Sequence, residues 1–235
     1  MKAMTHHSSA LPHQSVFVAL DVPERDTAVQ LARSLQPHVG GFKIGLELFC
    51  SLGPSIVEEI GAANVFLDLK LHDIPNTVAG ASRALAHLGV KIFNYHCLGG
   101  HDMMRAGAEA TREINAQTKI IGVTILTSHD AAGLRTLGLQ DEPRDAVRRL
   151  ALLAREAGLD GVVCSPQEIE LVRSECGPEF LIVTPGIRPS GAAVGDQKRV
   201  MTPREALDKG ADWLVIGRPI TAAPNPAQAA QNVFA

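Results

Sequence analysis

Asp68, Lys70 and Asp73 stand close together in the stretch Leu67-Asp68-Leu69-Lys70-Leu71-His72-Asp73-Ile74-Pro75-Asn76-Thr77. The stretch opens as an apolar strand, Val65 to Leu71, which Asp68 and Lys70 interrupt two positions apart. In a regular strand that spacing points both side chains to one face. A strand covered on both faces should read as nearly continuous Val, Ile and Leu. A carboxylate and an ammonium placed there lose hydration, at several kcal/mol per ion unless each is paired. Asp73 follows three positions after Lys70, and Pro75 stops the strand. Three charged groups at the end of a buried strand suggest a site. The competing reading is a structural ion network at the mouth of a barrel.

The elements that must position these groups repeat along the chain. Strands are expected near 16–20, 42–46, 65–71, 91–95, 120–126, 161–164, 181–184 and 213–216. Helices are expected near 24–35, 54–60, 77–88, 102–115, 144–157, 167–175, 203–209 and 227–233. Gly61, Gly89, Gly158, Gly177 and Gly210 close helices, and Ser165-Pro166 and Thr202-Pro203 read as an N-cap followed by proline. Eight alternating units imply a parallel sheet with right-handed crossovers. The absence of a GxGxxG after the first strand weighs against an open dinucleotide fold. The expected architecture is α/β, a closed (β/α)8 or TIM barrel forming one domain over residues 15–235, behind a disordered polar leader over 1–14. The leader contains His6-His7-Ser8-Ser9 and also fits a purification-tag remnant.

Composition narrows the function. The chain has 235 residues, 46% apolar and 20% charged, which suits one globular domain with a large core. A net charge of −3 is too small to argue for nucleic acid or an anionic membrane, and neither is expected as partner. No apolar run reaches membrane-helix length, and no secretory signal is evident. Cys50, Cys97, Cys164 and Cys176 form no CxxC pair and no zinc pattern, so reduced thiols in a cytoplasmic protein are expected.

In such barrels the site lies at the C-terminal strand ends. There the chain offers Asp21 after strand one, Lys43 within Gly41-Phe42-Lys43-Ile44-Gly45, and the strand-three charges. It then offers Asn94-Tyr95-His96, Leu126-Thr127-Ser128, Pro185-Gly186-Ile187-Arg188 and Gly217-Arg218-Pro219. The loops after strands seven and eight are the usual phosphate pocket of this architecture. Each brings a glycine, which lets backbone N–H groups approach an anion, and an arginine, whose planar fork matches phosphate oxygens. A phosphomonoester ligand is expected; two surface arginines are the competing reading. The segment from Arg188 to about Arg199 contains Asp196-Gln197 and suits a lid closing over the phosphate. His96 and His101 lack the spacing of a metal-binding helix face, and His96 reads better as a hydrogen-bonded residue near the pocket.

Beyond the residues themselves, the stretch from Asp68 to Thr77 resembles the signature of orotidine 5′-phosphate decarboxylases of bacterial type. Val18-Ala19-Leu20-Asp21, Phe42-Lys43-Ile44-Gly45, Leu126-Thr127-Ser128, Gly161-Val162-Val163-Cys164-Ser165, Thr184-Pro185-Gly186-Ile187-Arg188, Asp196-Gln197 and Ile216-Gly217-Arg218-Pro219-Ile220 resemble that family in order, over roughly residues 15–235. The resemblance implies release of CO2 from orotidine 5′-phosphate to give UMP in pyrimidine synthesis, without metal or organic cofactor. It implies that Asp21 and Lys43 hold the ribose. Lys43, Asp68, Lys70 and Asp73 would alternate in charge, with Lys70 protonating C6 and Asp73 entering the neighbouring subunit of a homodimer. Thr127 would touch the pyrimidine, Thr77 would join the substrate-binding set, and Gln197 would bridge base and phosphate. Arg188, Gly217 and Arg218 would hold the phosphate. Alternatives are a Mg-dependent sugar-phosphate decarboxylase or aldolase sharing the Asp-x-Lys-x-x-Asp core, or a phosphate-ligand binder without activity.

Overall fold

The structure, a computed structural model, describes residues 12–189 and 201–235. Eight parallel strands close into a barrel in the order β1 to β8. They are β1 (Val16–Ala19), β2 (Gly41–Gly45), β3 (Val65–Leu71), β4 (Ile92–His96), β5 (Lys119–Val123), β6 (Gly161–Val163), β7 (Leu181–Thr184) and β8 (Trp213–Ile216). Closure is direct: Val18 pairs with Phe42 of β2 on one side and with Ile216 of β8 on the other.

The period-two alternation of each strand sorts its side chains into two cores. Inside the barrel, Phe17, Ala19, Phe66, Ile92, Ile121, Val183 and Val215 pack together. Phe17 meets Phe66 and Trp213 edge-to-face at 6.2 and 5.6 Å, which fills the N-terminal end. The Lys91 ammonium sits 5.3 Å from the Phe17 ring centroid, and burial pushes its pKa down. Alternate strand residues such as Val18, Ile44, Leu67 and Phe93 face outward into a larger core shared with the helices.

Those helices are α1 (Arg25–Leu35), α2 (Leu46–Leu52), α3 (Ser55–Ile60), α4 (Pro75–His87), α5 (His101–Ile114), α6 (Ala131–Thr136), α7 (Pro143–Glu156), α8 (Ile169–Cys176), α9 (Pro203–Asp208), α10 (Arg218–Thr221) and α11 (Pro226–Gln231). Three were not expected from sequence. α2, α6 and α10 span only seven, six and four residues, too few for a helical period to emerge. Thr202 caps α9 as expected, in a reciprocal box with Glu205. Ser165 does not cap a helix: it opens a 3-10 turn and donates its hydroxyl to the Glu168 carboxylate. Strand five ends at Val123 rather than 126, because Thr124 turns both its N–H and its hydroxyl onto the Val163 carbonyl.

Candidate active site

Inward parity carries Lys43 on β2, Asp68 on β3 and Asn94 on β4 into the barrel, one step above Gly41, Phe66 and Ile92. Asp21 follows β1 on the same parity as Phe17 and Ala19. The Lys43 ammonium lies 3.0 Å from Asp21 Oδ1 and 3.5 Å from Asp68 Oδ2. The Lys70 ammonium lies 2.7 Å from Asp68 Oδ1. Charges therefore alternate from Asp21 through Lys43 and Asp68 to Lys70.

Asp68 is the hinge of this chain of charges. Burial raises its pKa, but Lys43 and Lys70, together with hydrogen bonds from Lys70 and Asn94, outweigh burial and hold the carboxyl below the usual range. It is ionised at neutral pH. A unit pair at about 4 Å is worth about 4 kcal/mol at an effective dielectric near 20, so two cations on one carboxylate suffice to offset desolvation.

Lys70 departs from regular strand geometry. Its φ is +52°, the one positive value outside glycine among the described residues. The β3–β4 register shifts between Leu67 and Leu71 at the same point. A side-chain-bearing residue held there costs about 1–3 kcal/mol and persists only where its surroundings enforce it. The backbone N–H of Lys70 donates to Asn94 Oδ1 at 2.7 Å, and Asn94 Nδ2 donates to Asp68 Oδ1 at 2.7 Å. The expected meeting of Asp68 and Lys70 thus occurs, but through a broken ladder rather than by strand parity alone. Asn94, fully buried, is a site residue that the sequence reading placed at the end of strand four without giving it a role. The available signal was a polar side chain at an inward position of β4.

Lys43, Asp68 and Lys70 form one wall of a cleft of about 160 Å3. The opposite wall is apolar, with Val123, Ile125, Val163, Pro185 and Val215, and Thr127 adds a hydroxyl. Fixed charges facing an apolar wall act in a low dielectric, where they are strongest.

At the ends of β7 and β8 stand Arg188 and Arg218. Burial, followed by the charge of Arg218, pushes the Arg188 pKa down, so the two guanidinium groups stand near enough to repel. Like charges gathered at adjacent strand ends favour an anion between them. Gly186 has φ +77°, a conformation that a side chain would strain, and it sets the turn that brings Arg188 round. A Cβ placed on Gly217 would lie 4.0 Å from Asp21 Oδ2, so this cationic end adjoins the Asp21–Lys43 pair.

The remaining expected site residues lie apart. Asp73 is exposed, and its carboxylate accepts from the Ile74 N–H at 2.6 Å; it forms no ion pair among the described residues. Thr77 is exposed on the first turn of α4 and does not line the cleft. His96 accepts from the Leu98 N–H at 3.4 Å and stacks on His72 at 5.5 Å between centroids. Asp196 and Gln197, with most of the expected lid, lie outside the described residues.

Comparison with known proteins gives a consistent result. The family model for orotidine 5′-phosphate decarboxylase / HUMPS matches residues 14–233. Orotidine 5′-phosphate decarboxylase of Moorella thermoacetica is 54% identical over 228 residues, covering 94% of this chain and 90% of its own. The enzyme of the same name from Nitrosococcus oceani is 53% identical, covering 94% of this chain and 96% of its own. Among solved structures, orotidine 5′-phosphate decarboxylase from Lactobacillus acidophilus superposes with a TM-score of 0.82 at 34% identity, covering 93% of this chain and 96% of its own.

Proposed function

The chain belongs to the orotidine 5′-phosphate decarboxylase / HUMPS family and decarboxylates orotidine 5′-phosphate to UMP in pyrimidine synthesis, and we propose that Lys70 is the group that meets the ring as CO2 leaves. The observation that carries this assignment is the Lys43–Asp68–Lys70 ion chain on the wall of the cleft. Loss of CO2 from C6 leaves a carbanion in the ring plane, with no adjacent sink for its charge. The Lys70 ammonium stabilises that charge and then delivers a proton to C6. Asp68 keeps the Lys70 ammonium aimed through its 2.7 Å contact. The apolar wall keeps water from the carbanion.

Asp21 and Lys43 hold the ribose hydroxyls, and Thr127 contacts the pyrimidine. Arg188, Arg218 and the Gly217 backbone take the phosphate. Gln197 bridges base and phosphate from the lid. Thr77 joins the substrate-binding set, and the site is completed in a homodimer, in which Asp73 reaches the neighbouring subunit. Support comes from adjacent strand ends: Leu46, Ile74 and Leu98 follow β2, β3 and β4 with 53%, 67% and 37% of their surface exposed. No described helix is long and apolar enough to cross a membrane, and the reaction is assigned to the cytoplasm, where four free cysteines stay reduced.

Arg218→Ala should weaken UMP binding by about 10–100-fold, the range for a charge-assisted hydrogen bond, and leave uridine binding nearly unchanged. Calorimetric titration of both ligands checks this; equal losses would count against a phosphate contact. Gly45→Ala tests the ribose end. The added Cβ would fall 2.9 Å from Lys43 Nζ and 3.3 Å from Asp21 Oδ1, so the flexible ammonium must swing away. KM for orotidine 5′-phosphate should rise about tenfold with the melting temperature little changed. An unaltered KM would argue that Lys43 and Asp21 do not hold the sugar.

The reaction itself is tested by the ultraviolet absorbance of orotidine 5′-phosphate mixed with purified protein in excess EDTA. Conversion to UMP is expected. Failure in EDTA with recovery on added Mg2+ would favour the metal-dependent sugar-phosphate branch.

A further inference from the structure

We propose that Asn94 is a positioning residue that sets the direction of the Lys70 ammonium; the proposal rests on the role given to Lys70 above. Its side-chain amide makes two contacts, both to site residues: Oδ1 accepts from the Lys70 backbone N–H, and Nδ2 donates to Asp68 Oδ1, each at 2.7 Å. The partners fix which way the amide faces. A flipped amide would set NH2 against N–H and oxygen against carboxylate oxygen.

The first contact fills a gap in the sheet. Where the β3–β4 register shifts, an ordinary ladder bond to β4 is lost, and the Asn94 side chain supplies an acceptor for Lys70 in its place. That bond holds Lys70 at φ +52°. The second contact binds the same Asp68 oxygen that receives the Lys70 ammonium, so one side chain governs both the root and the tip of the lysine. Asn94 itself is held in place by its surroundings: its backbone is in register with Ile121 of β5, and the residue is fully buried.

Two variants test this. Asn94→Leu removes both contacts at similar volume. Turnover should fall about 10²-fold, as for a reacting group displaced by about 1 Å, with the inhibition constant of UMP within about threefold of wild type. Asn94→Asp keeps the shape and the acceptor but sets a second carboxylate against Asp68. Two carboxylates this close cannot both ionise freely, and one pKa is raised. Below that value the introduced carboxyl carries a proton and donates to Asp68 as the amide did; above it the donor is lost. The ratio of Asn94→Asp to wild-type kcat should therefore climb as pH falls from about 8 to about 5.

The charged groups facing the position are Asp68 and Lys70 from β3 and Lys43 from β2, with His72 and His96 at the rim; the β5 neighbour Ile121 carries no charge. Burial, then His72, Lys70 and His129, depress His96 to about 4, so it stays neutral across this range.

A role in packing alone predicts no such recovery. Asn94→Leu turnover within about threefold of wild type, or a pH-independent ratio for Asn94→Asp, would overturn the proposal. Inactive wild-type protein would instead sink the role of Lys70 in turnover. The Asn94 proposal would then be read from a crystal structure of Asn94→Leu. Loss of the positive φ and of the Lys70–Asp68 contact supports it, and unchanged geometry overturns it.

Discussion

Lys70→Ala should lower kcat by at least about 10⁴-fold while leaving UMP affinity within about tenfold of wild type. The size of the loss follows from the two tasks given to one ammonium. Electrostatic stabilisation of a developing anion contributes about 10²–10³, and a positioned general acid contributes about 10²–10⁴. Both vanish together with the side chain. Product binding should survive because Asp21, Lys43 and the arginine pair stand at other strand ends and do not depend on Lys70. Single-turnover kinetics with UMP titration would check the split. A variant that retained a tenth of wild-type turnover would remove Lys70 from the chemistry.

Asp68→Asn should have the second largest effect, a kcat loss of about 10³-fold accompanied by a pH-dependent loss of stability. The carboxylate lies between two ammonium groups at 3.5 and 2.7 Å, and without its charge these repel and turn outward. The pH dependence has a definite sign. The folded pKa of Asp68 lies below its unfolded value, because the two lysines and the hydrogen bonds outweigh burial. Its stabilisation is thus fully present above about pH 4, the unfolded value, and fades as pH falls through the folded value. The gap in melting temperature between wild type and Asp68→Asn should be constant near neutrality and shrink on further acidification below about pH 4. A gap that does not change with pH would mean that Asp68 titrates alike in both states.

Much of this site was legible in sequence because its elements follow simple periods. The alternation of short apolar runs with helical segments implies eight parallel strands, and all eight are present and close on one another. Inward parity carried Lys43 and Asp68 into the barrel, and Gly186 and Arg188 fell where a strand-seven loop should hold them. Lys70 was found for an incomplete reason. Its side chain meets Asp68 as two-residue spacing suggests, yet its backbone leaves the strand conformation.

That departure depends on Asn94, 24 residues further along, and no local period encodes a hydrogen bond between two strands. The same limit applies to Asp73. Its position after the strand was evident, but the groups it serves lie outside its own protomer in the proposed homodimer. α6 was missed for a different reason. Asp130 caps it by accepting from the Gly133 N–H, but six residues are too short to separate a helix from a loop by pattern.

The most direct measurement is a crystal structure of the protein with UMP bound. The Lys70 ammonium should lie within about 3.5 Å of C6, in reach for proton delivery, with the phosphoryl group against Gly217 and Arg218. A Lys70 side chain directed away from the pyrimidine, or a phosphate docked far from Gly217, would contradict the assignment.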